Sequence, residues 1–259
     1  MLTEYAQYLL NPGNEFAKRM GYSKELIAIN SRYKRHKNHW AEHLEKTRSL
    51  IIKSCEKLQT RKCVMVIGAG LLLDIPLNYL AKTFERVYLV DVIFSRACKQ
   101  QCKKFENVHL YEHDVNGFDN FLKKFNGSNF NRITSASLPK TKSKIDLVIS
   151  ANVLSQLHLA PIFYLEKTYD WSEETLNKCA HYFIQSHLNL LKKQKCQVCL
   201  ISDYLRFNYY KNKLNETENA LLGIELPEPD ASWQWPIAPK GEISRHVSME
   251  SRVFGYTNF

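Results

Sequence analysis

The sequence predicts an α/β fold: a doubly wound, mostly parallel sheet preceded by an N-terminal helical extension. Three observations predict it. Short apolar runs recur at residues 64–67, 87–90, 108–111, 145–149 and 197–202, as expected of strands buried on both faces. Stretches with helical spacing separate them, the alternation of a parallel sheet with right-handed crossovers. A glycine turn, Gly68-Ala69-Gly70, closes the first run.

Residues 1–60 read as a helical cap, and residues 61–259 as the sheet domain. Asn11-Pro12-Gly13 is a turn after a first short helix. Ser23 offers a cap to a helix beginning at Lys24, with Leu26, Ile27 and Ile29 as its apolar positions. A longer helix carries Trp40, Leu44, Leu50, Ile51 and Leu58. Residues 77–84 are amphipathic, and residues 94–105 read as helix. Residues 126–144, rich in Asn, Ser and Lys, read as a surface excursion. A helix over 173–191 has Ser172 at its cap. Prolines exclude LPEPDASWQWPIAPKGE from helix, and it reads as a loop in which Trp233 and Trp235 form an aromatic wall or clamp the loop to the core. Residues 247–255 suit a terminal strand, with 243–246 as its hairpin partner.

With 259 residues and 44% hydrophobic content, the chain can bury a sizeable core. No apolar run approaches the roughly 18 residues of a membrane span. The N-terminus lacks the basic and apolar regions of a secretory signal. Seven scattered cysteines suit reduced thiols. The expectation is a cytoplasmic protein with no membrane partner. Cys196 and Cys199 have a metal-like spacing, but in a strand positions i and i+3 face opposite ways, so no metal site is expected.

The formal net charge is +10, and residues 1–62 hold 13 Lys/Arg against 6 Asp/Glu. The densest stretch is SRYKRHKNHWAEH. It reads either as a basic surface for an anionic partner, nucleic acid included, or as a solvated helix face, the commoner meaning of such runs.

The turn after a first parallel strand lies at the carboxyl edge of the sheet, where ligands bind. A dinucleotide turn reads G-x-G-x-x-G and aims a helix at a pyrophosphate; here the sixth position is Leu73. Pro76 is tolerated only in a first helical turn, so the helix begins no earlier than about Leu72, with Asp74 at or near its start. A carboxylate there repels a pyrophosphate and welcomes a cation. Asp91 ends the second strand, where an acid binds ribose hydroxyls in nucleotide folds.

These segments together resemble the class I S-adenosylmethionine-dependent methyltransferases. VMVIGAG matches the first motif, VYLVD the second, EHDV the third and IDLVISANVLSQL the fourth; the resemblance covers roughly residues 62–259. GAGLLLDIPL, YLVDVIF, RYKRHKNHWAEH and WQWPIAPKGE resemble a bacterial branch of that family. The departure is Leu72, where the family's turn usually has a third glycine. The resemblance implies S-adenosylmethionine as cofactor. It implies that Gly68, Ala69 and Gly70 line the methionine portion and that Asp74 approaches its ammonium. Asp91 would hold the ribose, with Val92 against the adenine. Asp114 would bond the adenine amino group beside Val115, and Ser150, Ala151 and Asn152 would wall the sulfonium.

No catalytic motif is evident, and none is required, because a sulfonium methyl needs mainly alignment and exclusion of water. SANV is not the Asn-Pro-Pro-aromatic signature of amino-directed nucleic-acid methyltransferases, and no Pro-Cys nucleophile is present. Candidate acceptor contacts are Arg35, Trp40 and His43 from the cap, Gln156 and His158 after the fourth strand, and Asp203 and Tyr204 after the fifth. Trp40 suits core packing better, and His43 an exposed helix position. The acceptor expected is a small molecule. RNA or protein methylation through the basic arm, and non-catalytic nucleotide binding, are the alternatives.

Overall fold

The computed structural model describes residues 13–124 and 135–259. The helix expected before Asn11, and residues 126–134 of the excursion, lie outside the described residues.

Three helices open the described chain: α1 (Glu15–Arg19), α2 (Tyr22–Arg35) and α3 (Lys37–Glu56). The alternating part follows as β1 (Cys63–Ile67), α4 (Leu77–Thr83), β2 (Arg86–Asp91), α5 (Arg96–Cys102), β3 (Val108–Glu112), α6 (Phe118–Lys124) and β4 (Leu147–Ala151). A short 3₁₀ turn, Leu154–Gln156, leads to α7 (Leu159–Thr168) and α8 (Glu173–Lys192). Four strands finish the chain: β5 (Gln197–Tyr210), β6 (Lys213–Asn219), β7 (Ala231–Ala238) and β8 (Val247–Tyr256).

The sheet order is β3-β2-β1-β4-β5-β8-β7, with β6 paired to β5 off this path. Strands β1 to β5 pair in parallel, whereas β8 and β7 add antiparallel. The winding reverses between β1 and β4, which creates a switch point at their carboxyl ends. This is the doubly wound, mostly parallel sheet of a class I methyltransferase-like fold, with helices before it.

Period-two alternation divides the sheet's two cores. Val64, Val66, Val87, Leu89, Leu147 and Ile149 face one way, with Trp40, Leu44, Leu50 and Ile51 of α3 and Leu77 and Leu80 of α4. Met65, Ile67, Val90, Val148 and Leu200 face the other, against Ile184, Leu188 and Leu191 of α8. A third cluster joins Phe16 and Met20 to Phe118, Phe121 and Phe183.

Several elements depart from the expected limits. Helix α2 starts at Tyr22, after Gly21, so Ser23 is a buried helical residue and not a cap. Helix α4 starts only at Leu77, after Pro76, so Asp74 lies in the connection and not at a helix start. Ser95 caps α5 by accepting from Cys98 N at 3.0 Å, which leaves Phe94 before the helix. Strand β4 begins later than expected because the Asp146 carboxylate accepts from the Lys62 and Cys63 amides at 2.7 and 2.8 Å. The supposed Pro-rich loop contains β7, and its register shifts between Trp235 and Ala238, around Pro236, where a missing N–H does least harm. Residues 243–246 supply only an isolated Ser244–Val247 bridge; β8 instead lies between β5 and β7. Strand β5 runs eight residues past its expected end, and beyond β4 its free edge is taken by β6.

Candidate cofactor and acceptor site

The carboxyl ends of β1, β2 and β4 enclose the glycine turn. Gly68 has φ +86°, and a Cβ there would lie 2.6 Å from Ala151 O. A Cβ on Gly70 would lie 2.9 Å from Ile93 O and 3.0 Å from Asp91 Oδ2. Glycine is needed at both positions because neighbouring backbone and carboxylate come so close. Leu72, at the usual third glycine, also takes a left-handed conformation, φ +56°. Its side chain is buried in the α3-facing core, which offsets a backbone penalty of about 1–2 kcal/mol.

Asp91 ends β2 as expected. Its Oδ2 accepts from Gly70 N at 2.8 Å, and Oδ1 from Ile93 N at 3.4 Å. Burial pushes its carboxyl up to about 6, against the lowering effect of those amides. Asp114 Oδ1 accepts from Asn116 N at 3.1 Å and Oδ2 from Asp119 N at 2.8 Å, which holds the start of α6. Burial raises its carboxyl too. Val115 is buried, and Val92 packs against the third cluster with Phe16, Met20 and Tyr22.

Tyr22 is a candidate that the sequence did not disclose. Its hydroxyl is raised by burial and then by the Asp114 and Asp91 carboxylates, which puts the first residue of α2 within electrostatic reach of both acids. A tyrosine thought to precede a helix cap gives no sign of this.

On the β4 side, Ser150 is fully buried and its Oγ meets His187 Nε2 at 2.9 Å. Ala151 turns its carbonyl to Gly68. Asn152 takes φ +52°, and its Nδ2 donates to Asp74 Oδ2 at 2.6 Å. Asp74 is raised by burial, partly offset by that bond. The same Nδ2 lies 3.4 Å from His43 Nε2. His43 is 1% exposed, not the exposed helix residue suggested by its surroundings in sequence. It accepts from Trp233 Nε1 at 3.0 Å and stacks on Trp235 at 3.9 Å. Burial lowers it to about 3, so the ring is neutral.

A second polar group adjoins this one. Buried Asp203 accepts from Ser155 Oγ at 2.7 Å and from Arg206 Nη2 at 3.2 Å. His158, also buried, is lowered to about 4 by burial and the Arg206 charge. Gln156 is exposed and donates to Asn152 O at 2.8 Å. The other three acceptor candidates engage other elements. Arg35 donates to both Glu242 oxygens, at 2.6 and 3.0 Å. Trp40 is core and donates to Ile237 O at 3.2 Å. Tyr204 stacks on Phe254 at 4.4 Å. Trp233 and Trp235 clamp β7 to α3 and are both buried.

No family profile matches the sequence, and no curated protein matches it. Solved structures do. The N-methyltransferase NodS from Bradyrhizobium japonicum WM9 is 13% identical, covering 85% of this chain and 97% of that one, with a TM-score of 0.39. The 1,6-didemethyltoxoflavin-N1-methyltransferase of Burkholderia thailandensis is 10% identical over 92% and 90%, with a TM-score of 0.36. The 23S rRNA methyltransferase ErmE is 9% identical over 80% and 67%, with a TM-score of 0.32. At such identities the roles of individual residues rest on this chain's own geometry.

Proposed function

We propose that the chain transfers a methyl group from S-adenosylmethionine to a small-molecule acceptor. The observation that carries this reading is the acidic rim of the glycine turn. Asp91 accepts from the Gly70 amide and feels the Asp74 carboxylate, and the helix that follows the turn begins seven residues after Gly70 and is seven residues long. A pyrophosphate needs a helix N-terminus aimed at it, and an ionised Asp74, on the connection leading to that helix, would repel it. A cofactor bearing an ammonium, a sulfonium and ribose hydroxyls suits this rim. Buried acceptor atoms without partners, Asn116 Oδ1 and Asn152 Oδ1, suit ligand N–H groups, since such atoms are costly unless paired.

In this reading Asp91 holds the ribose, with Val92 and Tyr22 closing that end. Asp114 and Val115 take the adenine. Gly68, Ala69, Gly70 and Asp74 take the amino-acid end, and Ser150, Ala151 and Asn152 wall the reacting centre. When bound, the cofactor supplies an electrophilic methyl on sulfur. The chain supplies alignment and a dry site. Neutral His158, whose buried Nδ1 has no hydrogen-bond partner, is the group placed to hold an acceptor proton. These groups are mostly buried, which favours a small acceptor over a polymer. Glu242 engages Arg32, Arg35 and His36 and so draws on the basic stretch that nucleic acid would need.

Calorimetric titration with S-adenosylmethionine, S-adenosylhomocysteine and NAD tests it. Micromolar binding of the adenosyl compounds alone supports it. Binding of NAD alone, or of none, overturns it.

A further inference from the structure

Cys98 and Cys102 stand one turn apart on α5, with their sulfurs 4.0 Å apart. Both side chains are buried, Cys98 the more deeply. Cys98 Sγ also lies 3.9 Å from Ala69 O, the middle of the glycine turn. The helix is tied to that turn a second time, through Ser95 N donating to Gly70 O at 3.2 Å. On its other side, Cys102 lines an open groove of about 530 Å³ at the β3 edge, together with Lys99 and Lys103. Lys99 is paired with Glu112 at 2.7 Å. Either thiol can donate across this contact; with Cys98 as donor, the Cys102 thiol is held below the ordinary cysteine range against the raising effect of burial. Two thiols in contact, one of them lining a groove at the surface, can react with a peroxide in turn.

We propose that Cys98 and Cys102 form a peroxide-sensitive dithiol whose oxidation to a disulfide deforms the glycine turn. The Cys102 thiolate attacks a hydroperoxide oxygen. The S–O bond forms, the O–O bond breaks, and the departing oxygen leaves as water or alcohol after taking a proton. Cys98 sulfur then attacks the sulfenyl sulfur of Cys102. The S–S bond forms, the S–O bond breaks, and hydroxide leaves as water with the Cys98 proton. Two thiols are oxidised by two electrons in all, and one hydroperoxide is reduced.

The effect on the turn follows from helix geometry. Residues four apart on a helix have Cβ atoms about 5–6 Å apart, whereas a disulfide needs about 3.8 Å. Closing the bridge must therefore distort α5 and draw Cys98 away from Ala69. The change in cofactor affinity rests on the methyl-transfer reading; formation of the bridge and disturbance of the turn do not.

The test treats the reduced protein with hydrogen peroxide, blocks remaining thiols with iodoacetamide and maps tryptic peptides. Trypsin cuts after Lys99, so a bridge appears as two peptides joined and parts again with dithiothreitol. Hydrogen exchange over residues 66–72 is measured on the same samples. The expected result is the joined peptides, faster exchange in the turn, and at least a tenfold loss of S-adenosylmethionine affinity that dithiothreitol restores. Cys98→Ser should leave a dimedone-reactive sulfenic acid on Cys102, and Cys102→Ser should abolish the response. If either variant fails to fold, the wild-type peptide map still decides. Recovery of both cysteines alkylated after peroxide overturns the proposal, as does a bridge with unchanged exchange in the turn. If the reduced protein binds no S-adenosylmethionine, the methyl-transfer reading fails, while the peptide map and the exchange still decide this one.

Discussion

The Gly70 amide donates to Asp91 Oδ2 at 2.8 Å, joining the glycine turn to the acid that ends the neighbouring strand. Asp91 thus shapes the turn as well as facing the cleft, and the two roles oppose each other in stability. Burial holds its carboxyl at about 6, above the ordinary 3.8. The folded state therefore binds this proton more tightly than the unfolded state, and stability falls as pH rises through about 4 to 6. Asp91→Asn should raise stability at pH 7.5 by about 1–2 kcal/mol, read by thermal melting, and the gain should vanish below pH 4. Asp91→Ala should weaken S-adenosylmethionine binding by about 1–3 kcal/mol in calorimetry. Unchanged affinity in a folded variant removes the ribose assignment.

Leu72 tests why this turn lacks its third glycine. Relief of a left-handed backbone is worth about 1–2 kcal/mol, but emptying a buried leucine site costs about 2–5 kcal/mol. Leu72→Gly should therefore destabilise, by about 1–3 kcal/mol in urea unfolding. A stabilised variant would show that backbone strain outweighs packing here.

Asn152 keeps its amide against Asp74 at 2.6 Å. Aspartate also tolerates the positive φ, so Asn152→Asp isolates the effect of charge. Two facing carboxylates cannot both ionise cheaply. The variant should lose about 2 kcal/mol at pH 8 and much less at pH 5. Equal losses at both pH values would place the defect in packing.

Glu242 binds Arg35, Arg32 and His36, and the first of these does most to hold its carboxyl at about 2. That stability is present above the ordinary 4.5 and is lost as pH falls towards 2. Since Arg35 is half exposed, solvent screening limits the contribution to about 1 kcal/mol. Glu242→Gln should melt a few degrees lower at pH 7, less so in high salt, and match the wild type near pH 2. Identical melting at pH 7 would count against a stabilising clamp.

The central sheet was legible because β1, β2 and β4 are buried on both faces and leave dense apolar runs. The glycine turn and Asp91 were legible because their spacing is local. The outer strands were not. Residues of β5 beyond Asp203 are half exposed, and β6 is mostly exposed, so neither shows a buried pattern. Pro236 concealed β7 because the register shift that accommodates it exists only once β8 is in place. Tyr22 feels the Asp114 charge and His43 bonds Trp233 only once the chain has folded, which nothing near them in sequence announces. Arg35 lay in a stretch of like charge, and its partner Glu242 is 207 positions away.

The stacking of His43 on Trp235 also bears on how the chain is made. Helix α3 emerges from the ribosome early, with Trp40, Leu44, Leu50 and Ile51 all apolar on one side. The Trp233 indole that donates to His43 is 190 residues further on, and Ser54 waits for the Thr257 carbonyl 203 residues away. At roughly 5–20 residues per second, that face stays without its partners for about 10–40 s of translation. A cap that closes on β7 and β8 should show chaperone capture of the nascent helix and a yield that depends on elongation rate.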